Sequence, residues 1–487
     1  MRRSLQLIIC PALSIALHAC ALKPGTPTPQ ADLILTGGAI HTMDAQRSRA
    51  EAIAVRAGRI VYVGAAAEAE TFRGPATRVV DLGNRMLLPS FQDVHIHPTL
   101  GGTAYSECPL FDTGNVDDIL AVIRGCIDAN SEAEYISATG WRWSQFVDAQ
   151  PPHKSTLDQL DFTGPIITGD ADGHTLWVNS AALELAQITG STPDPEGSEI
   201  GRDADGSPNG ILKEGPAMDM VQRRLPPPTR DTLVRALEYT QGYLHSLGIT
   251  AIQDAYVRLD SADIYQTLDA YAYMRDRGDL DLRVITALNW EPGAGMAQID
   301  AMMHARAQYS SGRLQATAIK FWADGVVESR TAFMLEPYTD QPDNRGFLMV
   351  PSQELNEGAR RLDAAGFQLH IHAIGDGTIR HTLDALAGAR DINGARDSRH
   401  LTAHTQLVHP DDIARFGELD VIAGFTPYWA YNDDYVRLVN PPQLGPGRMD
   451  WFYRINSIAE SGGRIAFGSD WSVSSADPLL GIETRSE

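Results

Sequence analysis

The sequence predicts an α/β fold, a (β/α)8 barrel with a small β-domain ahead of it, and three observations carry that reading. Eight short apolar runs recur between Pro89 and Asp470, with helical stretches between them. The first run ends in His95-Ile96-His97, which puts two imidazoles on one face of a strand. Ahead of the runs, short strand-like segments follow one another across Gly-containing turns, with no helices between them. A chain of 487 residues, 43% hydrophobic and 21% charged, can bury a core of that size.

The elements follow in order. Arg2 and Arg3 precede the apolar run Leu5 to Leu17, too short to span a bilayer and suited to the core of a secretory signal. Leu17-His18-Ala19-Cys20 then resembles the bacterial lipoprotein box, with His18 a departure from it. Residues 1–20 are therefore expected to be a lipoprotein-type signal, with Cys20 the site of lipid attachment and residues 21–31 a linker. Ala21 after the cysteine points to an exported protein anchored in the outer membrane and facing the periplasm. Export leaves Cys108 and Cys126 as an even pair in an oxidising compartment, joined as a disulfide or kept as two buried thiols. The segments Ala31–Gly38, Ala52–Val55, Arg59–Val63 and Thr77–Leu82 make residues 32–88 a small antiparallel β-domain of sandwich type.

The barrel is assigned to residues 89–100 and 228–487. Its strands are expected at Pro89–His97, Gly248–Ala255, Leu282–Asn289, Ala316–Asp324, Phe367–Ile374, Leu401–Gln406, Asp420–Pro427 and Arg464–Asp470. The gap after the first strand is too long for one crossover, so residues 101–227 are read as an insertion that shapes a pocket at the barrel's C-terminal face.

Candidate ligands fall one after another at the strand ends. His95 and His97 end the first, Lys320 lies near the end of the fourth, and His372 ends the fifth. His404 ends the sixth and Asp470 the eighth. His370 shares a face with His372, and His400 with His404, so periodicity does not separate them; nearness to the C-terminal end of the strand favours the later residue of each pair. Asp254 and Asp376 read as helix caps. Lys320 taken alone reads equally well as a buried structural lysine paired with Asp324.

Five motifs in this order resemble the amidohydrolase superfamily, and more narrowly its amidohydrolase 3 branch, which includes N-substituted formamide deformylase. They are Asp93-Val94-His95-Ile96-His97-Pro98, Ile319-Lys320-Phe321-Trp322-Ala323-Asp324-Gly325, His372-Ala373-Ile374-Gly375-Asp376, Ala403-His404-Thr405-Gln406-Leu407-Val408 and Gly468-Ser469-Asp470-Trp471. Ser90 stands where such proteins have Gly. The resemblance implies a metal-dependent hydrolase barrel with two divalent ions, expected to be zinc. His95, His97 and Asp470 would hold one ion and His372 and His404 the other, bridged by Lys320 as its carbamate. A hydroxide shared by the ions would then cleave a non-peptide C–N bond in an amide, formamide, carbamate or cyclic amide, with Asp470 carrying the proton to the leaving amine. The resemblance also points to His174, Asn179 and Arg330 as substrate-pocket residues; their competing readings are a loop cap for Asn179 and a surface ion pair for Arg330.

The same ions would also support an esterase, a lactonase or a phosphoesterase, and an inactive, truncated lipid-anchored homologue is the other alternative. A net charge of -22 excludes nucleic acid and anionic membrane surfaces as partners, which leaves a small-molecule substrate and contact with the membrane through the lipid anchor alone. The family continues beyond the position of Glu487 through a further helix and strands. The chain is therefore expected to lack them and to leave apolar surface on Ile465 and Phe467.

Overall fold

A computed structural model describes residues 30–486 apart from 131, 147–149, 172–174, 196–197, 214, 260–265 and 432–434. The expected leader and Cys20 lie outside the described residues, as does His174. Among the described residues, no helix is long and apolar enough to cross a membrane. The chain divides between Ser90 and Phe91 into two compact units.

The first unit is a five-stranded sheet of β1 (Leu33–His41), β2 (Arg49–Arg56), β3 (Arg59–Gly64), β4 (Arg78–Asp81) and β5 (Met86–Leu87), in the order β3-β2-β1-β4 with β5 also on β1. The sheet is mixed rather than purely antiparallel, because β1 runs parallel to β4 and β5. Ala31, expected in the linker, belongs to this unit: it is buried with Ile34, Ala52 and Ala54, and its N–H donates to Phe72 O at 2.8 Å. The edge strand β3 leaves Ile60, Val61 and Val63 exposed.

The second unit holds the barrel. Its first strand is β6 (Phe91–Ile96). The segment that follows carries a separate sheet of β7 (Ile136–Trp141), β8 (Ile166–Asp170), β9 (Thr175–Val178), β10 (Glu199–Arg202) and β11 (Pro208–Lys213), in the order β10-β11-β9-β8-β7. Helix α1 (Pro98–Ser106) precedes this sheet, and α2 (Val116–Ala129) and α3 (Ser180–Leu185) pack within the same segment. Cys108 and Cys126 are disulfide-bonded, tying α2 to the chain that leads into it. Asn115 caps α2, its side chain accepting from Asp118 N at 3.0 Å.

The remaining barrel strands are β12 (Ile249–Val257), β13 (Arg283–Asn289), β14 (Leu314–Trp322), β15 (Gln368–Ala373), β16 (Leu401–His404), β17 (Ile422–Phe425) and β18 (Arg464–Phe467). Each pairs in parallel with the next, and β6 pairs with β12, so the eight apolar runs are the eight strands in order. Helices α4 (Arg230–Ser246), α5 (Gln266–Arg277), α6 (Gln298–Tyr309), α7 (Ser352–Ala364) and α8 (Asp376–Asn393) cover the outside, which is why the strands are apolar on both faces. Gln253 of β12 bonds Gln368 of β15 at 3.1 Å across the barrel, whose interior is packed and not a pore.

The barrel closes at its C-terminal end, where Asp470 N donates to His95 O and His97 N donates to Trp471 O, each at 2.8 Å. Below those bonds the seam between β6 and β18 widens into an apolar groove of about 600 Å³, lined by Phe91, Ile249, Pro427, Ile465, Phe467 and Ile482 of the last helix, α9 (Pro478–Ser486). Phe467 is 41% exposed, and Ile465 is partly buried against the barrel core.

Candidate active site

The C-terminal rim of the barrel gathers the site. Asp93, two residues before His95 on β6, is the anchor: its Oδ1 accepts from His95 N at 3.0 Å and from Ser469 N at 3.1 Å, and so fixes the ends of β6 and β18 against each other. Gly468 makes that approach possible, since a Cβ there would lie 2.5 Å from His95 Cβ. Beyond the seam, His97 Nε2 lies 3.0 Å and His95 Nε2 3.4 Å from Asp470 Oδ1. That oxygen is buried and makes no well-formed hydrogen bond. His95, His404 and Asp470 each offer a ligand atom within 4.8 Å of the others. The His404 and His372 rings are 4.6 Å apart. His404 at φ 71° and Asp470 at φ 55° both occupy the left-handed region, a conformation held here by the surrounding rim.

His372 and His404 are each oriented by a further contact. His372 Nε2 donates to Gly325 O at 3.3 Å, which leaves the lone pair on Nδ1. His404 Nδ1 meets Thr426 Oγ1 at 3.2 Å, which leaves Nε2 free. Trp429 stacks on His404 at 4.9 Å, and Trp322 on His372 at 5.5 Å. Burial holds His372 and His404 well below the usual histidine range. Burial, reinforced by the Lys320 charge, takes His95 down to about 3. Burial opposes the charge on Asp470, yet His95 and His97 hold it well below the usual carboxylate value. Neutral imidazoles beside an ionised carboxylate are the protonation states that a cation requires of its ligands.

Lys320 is buried, and burial pulls its ammonium down to about 8, with Asp470 opposing. The alternative pairing with Asp324 does not form. The Asp324 oxygens accept instead from Phe333 N, Ile374 N, Gly375 N and Thr378 Oγ1, at 2.8 to 3.2 Å.

His95, His97, Lys320, His372, His404 and Asp470 thus come together from five strand ends, and other candidates do not join them. Asn179 is engaged by the backbone of its own segment. It caps α3 through Ala182 N at 3.0 Å, accepts from Ile166 N at 2.9 Å and donates to Gly164 O at 3.0 Å. Arg330 forms a two-bond ion pair with Asp340, at 2.5 and 3.1 Å. His400 accepts from Leu369 N and bonds Asp363, well away from the rim. Asp254 is no helix cap, since β12 runs on past it and its Oδ2 accepts from the Tyr271 hydroxyl at 3.1 Å. Asp376 is the first residue of α8, whose cap is Gly375, and it accepts from Leu335 N. Sequence reasoning gave no role to Asp93, Trp322 or Trp429. Asp93 sits in the first motif, but nothing in spacing alone says that its carboxylate faces the backbone of residue 469.

An eight-stranded parallel barrel whose rim gathers four imidazoles, a lysine and an aspartate defines the class of the protein, a barrel hydrolase with a metal-type donor set. The amidohydrolase family model matches residues 78–485, and the chain belongs to that family. It is 25% identical to N-substituted formamide deformylase of Arthrobacter pascens over 461 residues, covering 91% of this chain and 81% of that protein. It is 29% identical to Protein LONG AFTER FAR-RED 3 of Arabidopsis thaliana, covering 96% and 80%. An uncharacterized metal-dependent hydrolase from Pyrococcus furiosus shares the fold, with TM-score 0.75, 22% identity, and 93% of this chain and 88% of that chain covered.

Proposed function

We propose that this hydrolase cleaves a non-peptide C–N bond of a small molecule, an amide, formamide, carbamate or cyclic amide, with two divalent ions at the rim. The observation that carries the reading is the buried Asp470 Oδ1, which faces His97 Nε2 and His95 Nε2 without a well-formed hydrogen bond. A buried anionic oxygen in that state needs a cation. The donor set fits one. His95, His97 and Asp470 would hold one ion, His372 through Nδ1 and His404 through Nε2 the other, and Lys320 as its carbamate would bridge them, with zinc suited to these nitrogen and oxygen donors. A lysine with its ammonium lowered to about 8 has the free amine that carbamate formation with CO₂ requires.

Divalent ions supply two things when bound: they acidify water and they polarise a carbonyl oxygen. The chain's own residues do the rest. Asp470, ionised at neutral pH, accepts a proton from the attacking water on its carboxylate and passes it to the departing amine nitrogen. Asp93 keeps the ends of β6 and β18 in register, so that His95 and Asp470 stay opposed. The formamide deformylase among the relatives supports C–N cleavage as the reaction. We also propose that the chain is exported and lipid-anchored at Cys20.

The test is metal analysis of the purified protein, followed by assays on amides, formamides, carbamates and cyclic amides beside esters, lactones and phosphoesters. Two divalent ions per chain and turnover of a C–N substrate are expected. A protein that takes up no metal after supplementation sinks the reading, and turnover confined to esters or phosphoesters moves the activity to that class. Lys320→Ala is expected to lower turnover by roughly a hundredfold or more, since a metal Lewis acid contributes several kcal/mol. Added formate or acetate should restore part of it by standing in for the carbamate.

A further inference from the structure

His370 lies one strand position below His372, on the same inward face of β15, and the reaction outlined above makes no use of it. Its Nε2 is 2.8 Å from His95 Nδ1, a contact between opposite sides of the barrel and between residues 275 apart in sequence. The two rings are 4.8 Å apart at 52°. His370 is fully buried, and its Nδ1 has no hydrogen-bond partner among the described residues. A side chain kept only to fill space would not hold an unpaired nitrogen there, because an apolar side chain fills the same volume without that cost.

A neutral imidazole has one N–H and one lone pair, and the partner of one nitrogen decides which atom carries which. His95 has two partners to satisfy. Its Nδ1 faces His370, and its Nε2 faces Asp470 Oδ1 at 3.4 Å. If His370 Nε2 accepts, its own proton lies on the unpartnered Nδ1, the His95 proton is held on His95 Nδ1, and the lone pair on His95 Nε2 points to the carboxylate side of the rim. If the polarity is reversed, the proton sits on Nε2 and blocks that atom as a ligand. We infer that His370 is a positioning residue that accepts the His95 Nδ1–H and thereby holds His95 in the tautomer whose Nε2 can bind a metal ion. Imidazole replaces the carboxylate or carbonyl that more often takes this role behind a ligating histidine. The inference rests on the metal-centre reading given above and is separable from it.

The experiment measures zinc affinity of the metal-stripped full-length protein by chelator competition, in wild type, His370→Phe and His370→Gln, with circular dichroism to verify folding. Phe keeps the ring and removes the acceptor, whereas Gln can place its carbonyl oxygen where Nε2 lies. Zinc affinity is expected to fall by roughly 10- to 100-fold in His370→Phe. His370→Gln should recover most of that loss. Equal affinity in His370→Phe and wild type overturns the inference, and so does an equal loss in both variants, which would mark a packing role. Should His370→Phe not fold, His370→Met gives the same comparison. A wild-type protein that binds no zinc fails the metal-centre reading itself, and the role of His370 falls with it.

Discussion

Among the carboxylates buried in or beside the barrel strands, Asp93, Asp254 and Asp324 are handled differently from an exposed acid. Burial pushes Asp93 and Asp254 up to about 6 and Asp324 up to about 7, against hydrogen bonds that favour the ionised form. Asp254 gives a direct test: burial raises it, the nearby His97 opposes that, and its hydrogen-bond partners are the Tyr256 N–H and the Tyr271 hydroxyl. Below the unfolded value of 3.8 both states keep the proton, and the contribution to stability is fully present. As pH rises the unfolded chain releases the proton first, so that contribution is lost as pH climbs through about 6. Asp254→Asn cannot titrate. The stability of wild type relative to Asp254→Asn should therefore fall by about 3 kcal/mol at most between pH 4 and pH 7. Urea unfolding at several pH values checks this, and a difference that stays flat with pH overturns it. The types and positions of these acids are plain in the sequence. Their roles are not, since a strand-end aspartate looks alike whether it caps a helix, takes a tyrosine hydroxyl or grips the backbone of a distant strand.

At the scale of elements, the inserted sheet and its short helices are held by specific polar pins as well as by apolar packing. Asn179 joins the start of β8, the chain before it and the first turn of α3 through three hydrogen bonds. Asn179→Ala removes all three and leaves the buried N–H groups of Ile166 and Ala182 unpaired. The expected cost is roughly 2–4 kcal/mol, from a lost cap and orphaned donors. Thermal unfolding should record that loss while KM changes by less than about twofold, because the side chain points into the protein's own backbone. A raised KM with unchanged stability would return Asn179 to the substrate pocket. The barrel strands themselves were legible because eight apolar runs of strand length leave few other arrangements. The exact strand ends were less so, and β17 and β18 are shorter than their apolar runs.

For the whole molecule, the net charge of -22 and the proposed lipid anchor bear on where the protein works. An acidic body is repelled by anionic lipid headgroups, so the membrane attachment proposed above would rest on acyl chains at Cys20. Cys20→Ser is expected to move the protein from the detergent phase to the aqueous phase in a partition assay, and an unchanged detergent-phase fraction rules the anchor out. The groove at the β6–β18 seam belongs to this scale too. The two strands meet near the rim through the main-chain bonds of His95 with Asp470 and of His97 with Trp471, and apolar side chains line the groove below.

The sequence by itself determined the class of fold and the order of the barrel strands, and it placed the candidate ligands His95, His97, Lys320, His372, His404 and Asp470 at strand ends. It could do so because alternation, chain order and the fixed direction of a parallel barrel bring all C-terminal strand ends to one rim. Tertiary structure alone decided which histidine nitrogen faces the site, that Asp93 is the clamp, that His370 reaches His95 across the barrel, and that Asn179 and Arg330 are occupied within the protein. Those outcomes depend on which side chains and backbone groups meet in the fold, from Arg330 and Asp340, 10 residues apart, to Asp93 and Ser469, 376 apart. Neither spacing nor residue type encodes such contacts, because they exist only once the barrel has closed.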